Sequence, residues 1–394
     1  MSRYYEFFCP VKVIAGQAAL EHLPYELTGI ASTRPMIVTD QGVRSAGLLD
    51  PVISACQESD VVIAAIYDEV PPDSSTTTVR DIANLYRQQQ CDALIAIGGG
   101  SSIDTAKAVN ILVSEGGEDI AEYSGAGVLT RPLKPFFVIP TTAGTGSEVT
   151  SVAVIADRER SVKLPFTSSF LLPNAAIIDP RMTLTLPLHI TAATAMDALT
   201  HATEAYTCLS KNPLSDAYAT AAVKKIGHSL LTVMDNPNDA QGRLDLAEAS
   251  TMAGIAFSNS MVGLVHALGH ATGAICHLPH GLCMSLYLPY VLEYNLEGIR
   301  EPLSELLLYL EGPEVWTATP ASRRAEATIS AIRHLRDELH HRCELPRTLR
   351  ETGKVGEDQL DAIARQALDD GAIIYNPSEA SLKDIQRILQ KAWG

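Results

Sequence analysis

LIAIGGGSSIDTAKAV (residues 94–109) passes from an unbroken apolar run through three glycines and two serines into an amphipathic stretch. Read as strand, turn and helix, it sets backbone N–H groups and a helix N-terminus where a phosphate could lie, and glycine removes the Cβ that would block approach. The spacing fits neither the GxGxxG dinucleotide fingerprint nor the Walker GxxxxGK[ST] pattern. Taken alone, the segment supports a phosphate cradle and a tight structural turn equally.

Working outward, PMIVTD (35–40), DVVIAAIYD (60–68) and PFFVIPTT (135–142) are further short apolar runs that end in turn residues. Each predicts a buried strand. Between them lie helical patterns such as STTTVRDIANLYRQQQ (75–90), with Val79, Ile82, Ala83 and Tyr86 on one face. Strand alternating with helix predicts a parallel sheet flanked by helices. After NAAIIDPRMTLTLP (174–187) the pattern becomes helical to the C-terminus: 189–208, 213–234, 241–257, 259–277, 281–294 and several more. Pro180 and Pro187 bracket the change. The expectation is an α/β domain over 1–182 followed by an all-α domain over 183–394, with no internal repeat and no low-complexity tract.

FVIPTTAGTGSE (137–148) is a second strand that ends in Thr, Gly and Ser. Its Thr141, Thr142 and Thr145 can donate hydroxyls to phosphate or sugar. Two donor-rich turns at strand C-termini suit a dinucleotide, which has two phosphates and two riboses to hold. Asp40, at the end of PMIVTD, could take a ribose hydroxyl pair and would repel a 2′-phosphate, which favours NAD over NADP.

The helical half carries a different chemistry. Asp197 and His201 sit four apart in TAMDALTHATEAY, and His266 and His270 sit four apart in GLVHALGHATG. His280 follows in HLPHG. A spacing of four puts both members of a pair on one helical face, so each pair can point at a common atom. Of eleven histidines, four fall between 266 and 280, which makes a shared site more economical than scattered solvated rings. Asp197 lies among Ala195, Met196, Ala198 and Leu199, where an unpaired carboxylate would be costly and a cation would relieve it. One carboxylate with three imidazoles holds a borderline divalent ion and leaves a position open. Pro279 ends the helix, so His277 and His280 cannot share a face, and spacing does not choose between them. Glu204 is placed to support a ligand from behind. Cys276 and Cys283 read as core thiols, with a soft-ligand role left open.

The composition bounds the function. With 46% hydrophobic and 19% charged residues in 394, the chain is a well-buried globular enzyme in type. A net charge of −16 argues against nucleic acid and anionic membranes. Seven cysteines form no CxxC pair, MSRYYEFFCP lacks an apolar targeting core, and no run reaches the ~20 apolar residues of a membrane span. The expectation is a reduced, cytoplasmic protein.

With these motifs assembled, the chain resembles the iron-containing (group III) alcohol dehydrogenase family. GGGSSIDTAKA, PTTAGTGSEVT, MDALTHATEAY, GLVHALGH and LPHG stand in family order and spacing over nearly the full length. The resemblance implies a Rossmann-like NAD(H)-binding domain joined to a helical metal domain, the dehydroquinate synthase-like fold. By position, Asp197, His201, His266 and His280 match metal ligands, which makes His277 a bystander. His270 matches a nearby histidine implicated in proton transfer. Asp40, the turn Gly98, Gly99, Gly100, Ser101 and Ser102, and Thr141 and Thr142 match cofactor-contacting positions, as do Thr145 and Lys163 more loosely. The implied ion is Fe²⁺, although the donor set also suits Zn²⁺. Two departures stand out: Ala195 where family members commonly have Gly, and Ala271 where they often have Pro.

The implied reaction is hydride transfer between NAD(H) and a small primary alcohol, diol or aldehyde. Phe257, Met261 and Val152 are apolar candidates for the substrate end. A glycerol-dehydrogenase-like zinc polyol enzyme and a non-catalytic NAD-binding protein are the rival readings. A dehydroquinate-synthase-like activity needs basic residues for an acidic substrate, and 250–290 contains no Lys or Arg. Pairing through YYEFFCPVKVIAG would give a homodimer or a larger homo-oligomer, again by resemblance.

Overall fold

The structure is a computed structural model and describes residues 4–158, 160 and 162–394. It divides into two compact units, Cys9–Leu186 and Pro187–Gly394, and the described residues before Cys9 group with the second.

The first unit is built on a six-stranded, fully parallel sheet. Among the described residues the strands in chain order are β1 (Lys12–Ala15), β2 (Pro35–Val38), β3 (Ala65–Tyr67), β4 (Ala93–Gly98), β5 (Gly125–Ala126), β6 (Phe136–Pro140), β7 (Val152–Asp157), β8 (Val162–Thr167) and β9 (Ala175–Ile178). The large sheet runs β1-β9-β6-β4-β2-β3, and β5-β8-β7 form a small second sheet. Buried on both faces, β2, β4 and β6 read as continuous apolar runs, as parallel strands do. Met36, Leu94, Phe136 and Val138 pack on one face with Val79, Ile82 and Ile103 from the helices Thr76–Gln88 and Gly100–Glu115. Ile37, Ile95, Phe137 and Ile139 pack on the other with Leu20, Leu23 and Val52. That alternation is the period-two geometry of a strand.

The connection out of β2 leads to β3 on one side, and the connection out of β4 leads to β6 on the other. The carboxyl ends of β2 and β4 therefore flank a topological switch point, where open α/β sheets bind their ligands. The β7–β8 hairpin was not signalled by the sequence pattern. The exposed face of β7 carries Val152 and Val154, so the polar alternation that normally marks a half-exposed strand is missing there.

The second unit is helical: Leu188–Thr207, Pro213–Asp235, Ala240–Ser258, Leu264–Cys276, His280–Ala318, Arg324–Cys343, Leu360–Leu368 and Leu382–Trp393 are its α-helices among the described residues. The stretch from His280 is broken at Ile299 (φ −125°) and at Gly312 (φ 88°). His277 caps the Leu264–Cys276 helix in the left-handed region (φ 54°), and Pro279 then starts the next helix at His280.

Gly281 fixes how two of these helices meet. A Cβ there would lie 2.5 Å from the Ala193 carbonyl oxygen and 3.4 Å from Asp197 Cβ. The obstacle is backbone, so the helices would have to separate. Gly281→Ala should therefore destabilise the protein by about 1–3 kcal/mol. A urea unfolding midpoint equal to that of the parent protein would show that the close approach is not needed.

Candidate metal and cofactor sites

Asp197, His201 and Glu204 descend one face of the Leu188–Thr207 helix at i, i+4 and i+7. His266 stands in the first turn of Leu264–Cys276, and His280 is the first residue of its own helix. Asp197, His201, His266 and His280 each offer a ligand atom, and these atoms lie within 4.8 Å of one another. His201 Nδ1 is 3.8 Å, and His280 Nε2 3.4 Å, from Asp197 Oδ1. Asp197, His201 and His266 are buried, while His280 is partly exposed. His277 lies apart from the group because its left-handed backbone turns it to solvent.

Asp197 Oδ1, His201 Nδ1 and His266 Nε2 are buried polar atoms with no hydrogen-bond partner. Such orphans are rare unless a ligand completes them. Burial pushes the Asp197 carboxyl upward, but His201 and His280 beside it outweigh burial and hold it well below the usual carboxylate range. Burial lowers His201 to about 3, against the pull of Asp197. It takes His266 well below the ordinary imidazole value, and His280 and His270 add to that shift. An ionised carboxylate with neutral imidazoles is the protonation state that metal ligands require. The residues fit a divalent cation.

Glu204 supports this arrangement from behind. Its Oε2 lies 2.5 Å from His266 Nδ1, and its Oε1 accepts the Val265 N–H at 2.7 Å. A carboxylate acceptor fixes the proton on Nδ1 and leaves Nε2 as the ligand nitrogen. Burial pushes Glu204 up to about 7, against its backbone hydrogen bonds from Gly263 and Val265. Gly263 permits the approach, since a Cβ there would lie 3.1 Å from Glu204 Oε1. With no side chain of its own at the N-cap, this helix has its first N–H groups satisfied by Glu204 and by Asn376 Oδ1, which Leu264 N–H reaches at 3.3 Å.

His270 is near the cluster but outside the convergent set. Its ring centroid is 5.5 Å from that of His280 and 5.8 Å from that of His266. Its Nδ1 lies 2.9 Å from Asp370 Oδ2. Asp370 escaped sequence reasoning: it is a hundred residues from its partner, in a stretch with no motif. Phe257 stacks on His201 with centroids 4.3 Å apart. Met261 is partly exposed in the left-handed region (φ 84°), and Val152 belongs to β7 of the other unit. Ala195 and Ala271 are buried inside regular helices, so neither departure breaks the backbone around the cluster.

In the α/β unit, Asp40 caps the helix Gln41–Ser45 through Oδ1, which accepts Val43 N–H at 3.0 Å. Its Oδ2 accepts the Ser102 hydroxyl at 3.0 Å, joining the ends of β2 and β4. Gly98 has φ 153°, and a Cβ there would lie 2.7 Å from Ser102 Oγ. Gly99 faces Thr142 at 3.2 Å and Gly100 faces Thr145 at 3.2 Å by the same measure. Thr141 N–H donates to Gly98 O at 3.1 Å, so the two turns form one cradle at the switch point. Ser101 is exposed in the first turn of the helix Gly100–Glu115. Lys163 is placed differently, on β8, where its ion-pair partner is the exposed Asp73.

A family model described as iron-containing alcohol dehydrogenase matches residues 10–180, and the C-terminal model of the Fe-containing alcohol dehydrogenase family matches 191–393. The chain is similar to the NAD-dependent methanol dehydrogenase of Bacillus methanolicus, 36% identical over 386 residues, which cover 98% of this chain and 99% of that one. It is also similar to the 1,3-propanediol dehydrogenase of Klebsiella pneumoniae, 34% identical over 393 residues and 99% of each chain. A crystal structure of 1,3-propanediol oxidoreductase superposes with a TM-score of 0.93 at 33% identity, covering 99% of this chain and 100% of that one.

Two variants separate ligand from support. His266→Ala should abolish metal retention, whereas Glu204→Gln should weaken it about 10- to 100-fold. Metal content after dialysis against a graded chelator reads both, and equal retention in Glu204→Gln and the parent would remove Glu204 from the site. In the other unit, Gly98→Ala should cost about 1 kcal/mol or more in stability and weaken NAD⁺ binding by calorimetry.

Proposed function

This chain belongs to the iron-containing alcohol dehydrogenase family, and from that premise we propose that it interconverts a small primary alcohol or diol and its aldehyde with NAD(H), using Fe²⁺ held by Asp197, His201, His266 and His280. The convergence of those four ligand atoms within 4.8 Å carries the reading. When bound, the ion supplies Lewis acidity toward a substrate oxygen, and the dinucleotide supplies or accepts hydride.

The protein's own residues position and protect. Asp40, the glycine turn Gly98–Ser102, Thr141, Thr142 and Thr145 are the groups we assign to the dinucleotide, with Lys163 as a further cofactor contact. The cradle that Asp40, the glycine turn and the threonines form at the switch point supports their assignment. We take residues 1–182 as the NAD-binding domain and 183–394 as the metal-binding one. His270 takes up the proton of the alcohol as it is oxidised and returns it on reduction, a role its exposure to water supports. Phe257, stacked on His201, lends an apolar wall suited to a short uncharged substrate. The absence of Lys and Arg from 250–290 disfavours an acidic one.

The names of relatives, methanol and 1,3-propanediol dehydrogenases, support the same substrate class. We further take the protein as a cytoplasmic homo-oligomer. Among the described residues no helix is long and apolar enough to cross a membrane, and β1 pairs only with β9, leaving its outer edge for a second copy.

Enzyme loaded anaerobically with Fe²⁺ should oxidise short primary alcohols or diols with NAD⁺, followed by NADH absorbance. Activity with Zn²⁺ and glycerol but not with Fe²⁺ would favour the polyol reading. NAD⁺ binding without turnover of any alcohol or aldehyde would reject the enzyme. His270→Ala should keep its iron and lose about 10²- to 10⁴-fold in kcat; loss of iron instead would make His270 a ligand.

A further inference from the structure

The carboxylate of Asp370 is held at both ends. Its Oδ1 accepts the Ala372 N–H at 2.8 Å and caps the short helix Gly371–Tyr375. Its Oδ2 faces His270 Nδ1 at 2.9 Å. The backbone cap fixes where the carboxylate points, so the imidazole meets an acceptor of set position. We propose that Asp370 is a positioning residue that holds His270 in the Nδ1–H tautomer and orients its ring, leaving Nε2 bare to take the alcohol proton. The inference rests on the reading of His270 as the proton carrier.

An ionised carboxylate can only accept, so Nδ1 must carry the hydrogen and the lone pair must lie on Nε2. Burial pushes Asp370 up, but its hydrogen bond with His270 and its cap on Ala372 outweigh burial and keep it ionised. The ring is also stacked on His280, with planes 21° apart, which limits its rotation. When alcohol and NAD⁺ become carbonyl compound and NADH, the hydride leaves carbon and one proton leaves oxygen. Nε2 receives that proton, Asp370 then faces an imidazolium, and the half-exposed ring passes the proton to water. The same 2.9 Å contact could instead be a surface ion pair, which is often worth close to nothing. The two accounts differ in what happens when both partners are changed.

The test uses the iron-loaded full chain as parent, His270→Ala, Asp370→Asn, Asp370→Glu and the double variant. Asn keeps the cap on Ala372 but removes the charge and can turn its amide N–H toward Nδ1. Asp370→Asn should lower kcat about 10- to 100-fold with iron content and alcohol KM unchanged, and Asp370→Glu should recover part of the loss. In the His270→Ala background, Asp370→Asn should cost nothing further, because the two act as one unit. In ¹⁵N-histidine-labelled protein loaded with diamagnetic Zn²⁺, the His270 signals should report Nδ1–H in the parent and move toward Nε2–H in Asp370→Asn. A parental kcat for Asp370→Asn, or losses that multiply in the double variant, would overturn the proposal while leaving His270 in its role. A parental kcat for His270→Ala would remove the proton carrier itself, and Asp370 with it.

Discussion

A carboxylate oxygen that has left water without a hydrogen-bond partner sets the terms for the helical unit. Asp197 Oδ1 is buried and unpartnered, with Ala195, Met196, Ala198 and Leu199 around it in sequence. Even after relaxation, a buried ion costs several kcal/mol unless it is paired. Burial holds the His201 and His266 rings neutral, so those two do not offset that cost by ionising. A cation at the meeting point of the four ligand atoms resolves the deficit at once. Metal affinity and the stability of this unit are therefore one free energy, since unfolding would return both the carboxylate and the ion to water.

The surrounding helices are arranged to keep that point in place. One helix supplies Asp197, His201 and Glu204, and a second supplies His266 in its first turn. Glu204 serves both: it holds the His266 ring and accepts a backbone N–H at the start of that second helix. A carboxylate at a helix N-terminus is favoured by the local dipole as well. Gly281 brings the helix of His280 against the Ala193 carbonyl. The candidate ligands are thus held by backbone contacts as well as by the Glu204–His266 pair, and a pre-set geometry wastes little binding energy on ordering the site.

What the sequence made legible follows from which interactions are local. The strand–glycine–helix segment at 94–109 is one continuous stretch and the Asp197/His201 spacing lies within about one helical turn, so local pattern finds them. Strand β4 and the helix Leu188–Thr207 lie within two residues of the expected 92–100 and 189–208. His277 against His280 could not be decided by spacing, because the answer lies in one left-handed backbone residue, and no Gly or Asn marked it. The β7–β8 hairpin was hidden by valines on its exposed face. Asp370 was hidden by distance along the chain: nothing local requires a carboxylate there except a cap on Ala372, which many loops share. Asp197, His201 and Glu204 share one helix and can be read from spacing, whereas which of His266 and His270 converges with them, and the carboxylate that faces His270, depend on the rest of the fold.

His266 and His270 show why that tuning decides function. They are the same residue type, one turn apart on one helix, and each places Nδ1 against a carboxylate oxygen. Pattern alone would give them one role. Their carboxylate partners, however, sit in different environments. Glu204 is buried, so the ring it holds has no exchange with water and must keep its lone pair for whatever meets Nε2. Asp370 lies in a segment that leaves His270 half-exposed, so a proton arriving at that ring has a route out. A metal ligand must never give up its lone pair to a proton, and a proton carrier must do so in every turnover. Burial, applied unequally to two rings a helical turn apart, is what supports proposing the first duty for His266 and the second for His270.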